Sequence, residues 1–365
     1  MKKINSFLFC LLLISTLSAQ NNIDDGKVEV IKCEHFSISK PLRELFVENN
    51  PSANFIVHES YKESRDKENR MPHTFVEQNE VDPVIQDVAG MYILKALVNW
   101  EGQNDGSCPP DPSGEAGLNY YVQMVNATPL KIFNKTTGAQ VGTVRQLGNL
   151  WTPAASNDGD PIVLYDKFAD RWFLAQFKFY SPYKIYIAIS TTNDPTGTYY
   201  CYTFSSSQLP DYGKFSIWQD GYYMTSNQNT QKMVIFEREK MLLGNTSARS
   251  ITKNFPSAPP TGGGFFCPLP ADADGQLPPA GTPCPVFTYQ DSDWGTGLTD
   301  GINIYNITTT WGTTPAATIT GPTFLATSSF NSTYSSSWLD IPQPGTSQKL
   351  DGIGGVLNFR AQYRV

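Results

Sequence analysis

The sequence predicts an all-β domain made of repeated sheets, on three observations. A short aromatic or apolar core recurs as Tyr120-Tyr121-Val122, Trp172-Phe173-Leu174, Tyr222-Tyr223-Met224 and Val286-Phe287-Thr288, with Leu357-Asn358-Phe359 as a looser fifth. Measured from the middle residue of each core, the spacings are 52, 50, 64 and 71 residues. A second apolar run follows each of the first four, at 130–133, 185–189, 233–236 and 302–305, and turns rich in Asp and Gly flank the pairs. Tyr, Phe, Trp, Ile and Val suit a pleated, half-buried surface, and Gly, Asn and Asp close the turns between such strands. After residue 110 only 236–243 offers room for a turn or two of helix.

A single meander of this kind cannot bury both of its faces. Stacking such units radially does, and a period of about 50 residues suits a four-stranded β-propeller blade. A β-sandwich is the rival, but it does not require an aromatic core repeated at this interval. Four repeats and the start of a fifth predict either a ring left incomplete at the C-terminus or a closed ring of four or five blades. In the closed case, residues 84–100 would join the last blade.

The elements in chain order follow from composition. Residues 1–19 (MKKINSFLFCLLLISTLSA) carry Lys2 and Lys3, a short apolar stretch and a small-residue cleavage site, the pattern of a secretory signal peptide. The apolar stretch is too short for a membrane span, and none follows later. Loss of the two lysines takes the net charge from −7 to −9. Residues 20–104 form a charged, partly irregular region. Its extreme is 61–80, with nine charges of mixed sign in 20 residues, read as a solvated connector. From 105 to 365 charge thins out and the repeats begin. An acidic chain without a basic patch does not suit nucleic acid.

Several strings carry a resemblance. They are 111–126 (DPSGEAGLNYYVQMVN), 158–166 (DGDPIVLYD) with Arg171-Trp172, 194–197 (DPTG) and 210–224 (PDYGKFSIWQDGYYM). Across about 105–365 the chain resembles a family of large secreted bacterial proteins described as β-propeller-like, which often carry adhesion-type modules or a C-terminal sorting domain. The resemblance implies a secreted propeller at the cell exterior and brings no active site with it. Against that pattern, this chain is expected to carry neither the appended module nor the sorting domain.

Candidate chemistry is sparse. With Cys10 in the signal, the mature chain keeps Cys33, Cys108, Cys201, Cys267 and Cys284. An export compartment permits disulfides, and Cys267 with Cys284, flanking a Pro/Gly-rich loop, is the expected pair. None has the spacing of a zinc set. Asp158 with Asp160, and Asp291 with Asp293 near Asp300, place carboxylates one residue apart at flexible turns, which makes them candidate calcium ligands. Asp and Gly also make such turns with no metal. The expected cofactor set is therefore none, or calcium.

A sialidase-like glycoside hydrolase would need an arginine cluster, a tyrosine nucleophile and a carboxylate partner. Arg145, Arg171, Arg238, Arg249, Arg360 and Arg364 make the cluster arithmetically available, but the S-x-D-x-G-x-x-W box is missing. The three histidines, His35, His58 and His73, all precede the repeats, and there is no G-x-S-x-G elbow, so a serine hydrolase has no base. Phosphate-cradling glycine loops are also missing. Trp151, Tyr212, Trp218, Trp294 and Trp338 are aromatics in or near loops, suited to contact with a ligand or to burial between blades. The expectation is a secreted, non-catalytic binding or scaffold module for an extracellular protein or glycan, with no catalytic residues assigned. The hydrolase is the alternative.

Overall fold

The computed structural model describes residues 26–45, 98–103, 110–126, 129–228, 230–256, 267–330, 332, 339–351 and 357–364. The signal segment, the 61–80 connector, Cys108 and Trp338 lie outside the described residues. The chain is all-β, organised as several antiparallel sheets.

Four sheets follow one another along the chain. The first holds β3 (Ser113–Ala116), β4 (Tyr120–Met124), β5 (Pro129–Asn134) and β6 (Arg145–Gln146). The second holds β7 (Ile162–Asp166), β8 (Arg171–Lys178), β9 (Lys184–Ser190) and β10 (Tyr199–Ser205). The third holds β11 (Asp211–Ile217), β12 (Tyr222–Asn227), β13 (Lys232–Phe236) and β14 (Arg249–Asn254), with helix α1 (Arg238–Leu242) between the last two. The fourth holds β15 (Leu269–Ala273), β16 (Cys284–Gln290), β17 (Gly301–Thr310) and β18 (Ala316–Ala326). Each is a meander in which sequence neighbours pair. The recurring cores are the second strands and the apolar runs that follow them are the third strands.

The sheets pack in chain order through three apolar layers. Val122, Met124, Leu130 and Ile132 of the first sheet meet Val163, Trp172, Leu174 and Ala188 of the second. The opposite face of the second, with Leu164, Phe173 and Ile187, meets Phe215, Tyr222, Met224 and Phe236 of the third. The other face of the third, with Trp218, Tyr223 and Ile235, meets Ala271, Cys284, Val286 and Ile307 of the fourth. The inner sheets are covered on both sides, so β8 is buried from Trp172 through Phe177. In β17 burial alternates instead, because one face of the fourth sheet has no sheet against it among the described residues. That difference follows from period-two geometry.

Two sequence readings are corrected here. Phe173 and Tyr223 both point toward the following sheet, but Tyr121 does not. Val122 holds the equivalent place, and Tyr121 packs on the far side with Trp100 and Phe133. A slip of one residue transfers a side chain to the opposite face of a strand. The fifth core does not start another meander. Residues 357–360 enter no strand, and β19 (Ala361–Tyr363) joins the fourth sheet as a parallel strand beside β15.

The N-terminal segment crosses the outer edges of three sheets. β1 (Glu29–Lys32) pairs with β14, and β2 (His35–Ile38) pairs with β10. A short 3-10 turn at Leu42–Glu44 follows. It buries Leu42 in the layer between the first and second sheets, and Arg145 Nε of the first sheet donates to the Leu42 carbonyl at 3.2 Å. Residues 26–45, which composition places in a charged N-terminal region, thus form part of the sheets and tie them together.

Candidate functional site

The first strands of successive sheets lie side by side, β3 near β7 and β7 near β11, while β15 lies near β11. Their ends and residues 358–360 enclose a cleft of about 650 Å³. It collects residues from the start of each of the first three sheets, namely Ser113 and Glu115, Asp160 and Ile162, and Tyr212 and Lys214, together with Phe359 and Arg360.

The local sequence explains how the third sheet serves the site. Between Asp211 and Lys214 the pairing of β11 with β12 shifts register, so Tyr212-Gly213 forms a bulge. Tyr212 sits at φ +53, a conformation that costs a bulky side chain energy and that recurs at binding sites. Its backbone N–H donates to Asp160 Oδ2 at 3.1 Å, which ties the bulge to the second sheet. Bulges redirect side chains, and here the bulge places the Lys214 ammonium over the Tyr212 ring, 3.2 Å from its centroid. Phe359 lies on the same cation at 5.6 Å. Lys214 is 6% exposed and forms no ion pair within 4 Å among the described residues. Burial lowers its pKa to about 8, against the opposing pull of Cys267, Asp160 and Asp111.

Arg360 is neutralised on the other side of the cleft. Its Nη1 lies 2.6 Å from Glu115 Oε2 in the first sheet and 3.2 Å from Asp272 Oδ2 in the fourth. One guanidinium therefore joins the first strands of the first and last sheets. Asp272 also accepts from the Ile217 amide at 2.8 Å, and burial raises its pKa to about 6.

The sequence-nominated residues are dispersed. Asp158 Oδ2 accepts from the Phe179 amide at 3.3 Å, while Asp160 lines the cleft. Asp291 accepts from the amides of Asp293 and Ser332, and exposed Asp293 belongs to a short 3-10 turn. The two aspartate pairs are not brought together, and no group of three or more His, Cys, Asp or Glu suited to a metal stands among the described residues. The carboxylates act as acceptors in turns and loops.

The arginines do not converge either. Arg238 pairs with Asp166, Arg249 with Glu237, and Arg364 with Asp274. Arg145 and Arg171 donate to backbone carbonyls. Trp151 and Trp218 are buried between sheets, Trp294 packs on Tyr289, and among the nominated aromatics that are described only Tyr212 reaches the cleft.

The expected disulfide is not formed. Cys267 and Cys284 are both free and buried. Leu269 pairs with Phe287, which puts Cys267 at the Tyr289 end of the hairpin. A rise of ~3.4 Å per residue then separates it from Cys284 by ~17 Å, far beyond the ~6 Å a disulfide spans. Cys267 Sγ lies 3.4 Å from Thr225 Oγ1, and Cys284 Sγ donates to the Ala271 carbonyl at 3.7 Å. The Pro/Gly-rich loop they flank was the ground for pairing them, and the hairpin carries the two cysteines apart.

Lys214 carries the most chemistry in the cleft and was missed. The available signal was one lysine, followed by FSI, inside a strand whose only other charged residue is Asp211. Searches against family models, curated proteins and solved structures return no match for this chain.

Proposed function

We propose that this chain is a secreted, non-catalytic binding module of β-propeller type, with an extracellular glycan seated in the cleft where the first strands meet. The observation that carries the reading is the cleft itself: a buried lysine that no carboxylate pairs directly, with two aromatic rings beside it, in a space lined by three successive sheets. Aromatic faces stack on sugar rings, while Glu115, Asp160 and Lys214 offer acceptors and a donor for hydroxyl groups. A cleft of this size suits a few sugar units better than the broad surface a protein partner needs.

Four consecutive four-stranded meanders, packed in chain order with their first strands adjacent, support the propeller reading. The Arg360 link between the first and fourth sheets supports a common axis. The half-buried outer face of the fourth sheet supports an arc that side-chain packing does not close. The basic and apolar start of the sequence supports export, as does the resemblance to secreted propeller-like proteins. No helix among the described residues is long and apolar enough to cross a membrane.

Affinity electrophoresis of the mature chain against a panel of neutral and acidic polysaccharides tests the reading. At least one polysaccharide is expected to retard the wild type, and Phe359→Ala, which changes a 37% exposed ring, is expected to remove the retardation. Retardation unaffected by that substitution, or none across the panel, would overturn it.

A further inference from the structure

We propose that Lys214 is a carbonyl-capturing amine that condenses with an aldehyde admitted to the cleft. The proposal rests on the cleft as a ligand site and names the chemical class that this residue takes, for which the open-chain end of a reducing sugar is the glycan counterpart.

Three features of the geometry support it. Lys214 lines a cleft of about 650 Å³, large enough for a small aldehyde. It is held in place over the Tyr212 ring at 3.2 Å and not by a carboxylate salt bridge, so it can become neutral without breaking an ion pair. The nearby acidic groups are engaged elsewhere: Asp160 accepts from the Tyr212 amide, Asp111 accepts from Asn126 Nδ2 at 3.1 Å, and Glu115 and Asp272 are bound to Arg360. Buried lysines in largely apolar surroundings are the ones that serve as Schiff-base nucleophiles. Cys267, also near the amine, is itself a buried thiol whose pKa is pushed up to about 12 by burial, so it stays protonated and does not compete as a nucleophile.

The step balances without an added oxidant or reductant. The Nζ lone pair attacks the carbonyl carbon, a C–N bond forms, and the C=O π pair moves to oxygen. One proton passes from nitrogen to that oxygen to give a carbinolamine. Loss of the hydroxyl group with the remaining nitrogen proton releases water and leaves the C=N bond.

Protonation sets the expected rate. With a pKa of about 8, roughly a tenth of Lys214 is neutral at pH 7. An ordinary lysine near 10.4 is neutral ~200-fold to 300-fold less often, and lower basicity gives back part of that advantage. The test uses the mature wild-type chain with glycolaldehyde and limiting cyanoborohydride, and peptide mass spectrometry reads the adduct at each lysine. Lys214 is expected to be labelled at least ~10-fold faster than exposed Lys32, Lys40 and Lys349 at pH 7. Between pH 7 and pH 9 its labelling should rise only about tenfold, against nearly a hundredfold for an ordinary lysine. Labelling of Lys214 at or below the rate of the exposed lysines, or with their pH slope, would overturn the proposal. The readout needs no substitution. It also stays separate from polysaccharide retardation: a wild type that no polysaccharide retards but whose Lys214 labels fast defeats the glycan reading alone, and a retarded wild type whose Lys214 labels no faster than the exposed lysines defeats this proposal alone.

Discussion

Arg238→Met tests the polar bond that fastens the second sheet to the third. Arg238 Nε and Nη2 donate to Asp166 at 2.7 and 2.9 Å, and the Tyr222 hydroxyl donates to the same carboxylate at 2.9 Å. The Asp166 side chain is fully buried and the Arg238 side chain is 10% exposed. Methionine fills much of the arginine volume but leaves the carboxylate without its counter-ion. Breaking a buried pair on one side costs ~3–5 kcal/mol. For a domain of this size each kcal/mol moves the midpoint by about 2–4 °C, so the variant should melt ~6–20 °C lower. Urea unfolding followed by tryptophan fluorescence measures the loss directly, and the m-value should stay the same. Removing Asp166 as well, in Asp166→Leu with Arg238→Met, should recover much of the loss, because no uncompensated charge remains. A loss below ~1 kcal/mol in the single variant would refute the assignment of a tight, desolvated pair.

Three further outcomes follow from the packing and the charges. Val122→Ala should cost ~1.5–3 kcal/mol and Tyr121→Ala clearly less, because Val122 is wholly buried against the second sheet while Tyr121 is only half-buried; urea midpoints decide between them. Burial raises Asp220 and Asp272 to about 6, so the folded chain binds protons on these groups that the unfolded chain has already released. Their contribution is therefore most favourable below pH ~4 and is lost as pH rises through 6, and Asp220→Asn should flatten that part of a stability-against-pH curve. Cys267 and Cys284 should both be alkylated once the chain is unfolded without reductant, and a crosslinked peptide joining them would contradict the structure.

Much of the fold was legible because it is local. The second and third strands of each of the four meanders are hairpin neighbours, and their Tyr, Trp, Ile and Phe runs mark them without reference to anything distant. What escaped is non-local or depends on parity. Tyr120, Tyr121 and Val122 are all apolar or aromatic, so alternation does not reveal which of them faces the core. The strand pairing of 29–32 and 35–38 joins residues more than 150 positions apart, Glu29 with Thr252 and Tyr200 with Ile38, and the charges interspersed there read as surface. The cleft is assembled from the ends of three first strands and residues near 360, so its composition is scattered along the chain. The acidic turns were visible as turns, and their carboxylates accept from backbone amides there.

The proposed arrangement of the first strands around one axis implies that Arg360 reaches Glu115, 245 residues away in sequence. A double-mutant cycle with Glu115→Gln and Arg360→Gln, read by urea unfolding, measures that contact apart from the Asp272 pair. The side chains are 19% and 24% exposed, and a coupling of ~0.5–1.5 kcal/mol is expected. Energies that simply add, to within ~0.3 kcal/mol, would mean that the first and fourth sheets do not meet there and that the cleft is not enclosed as described.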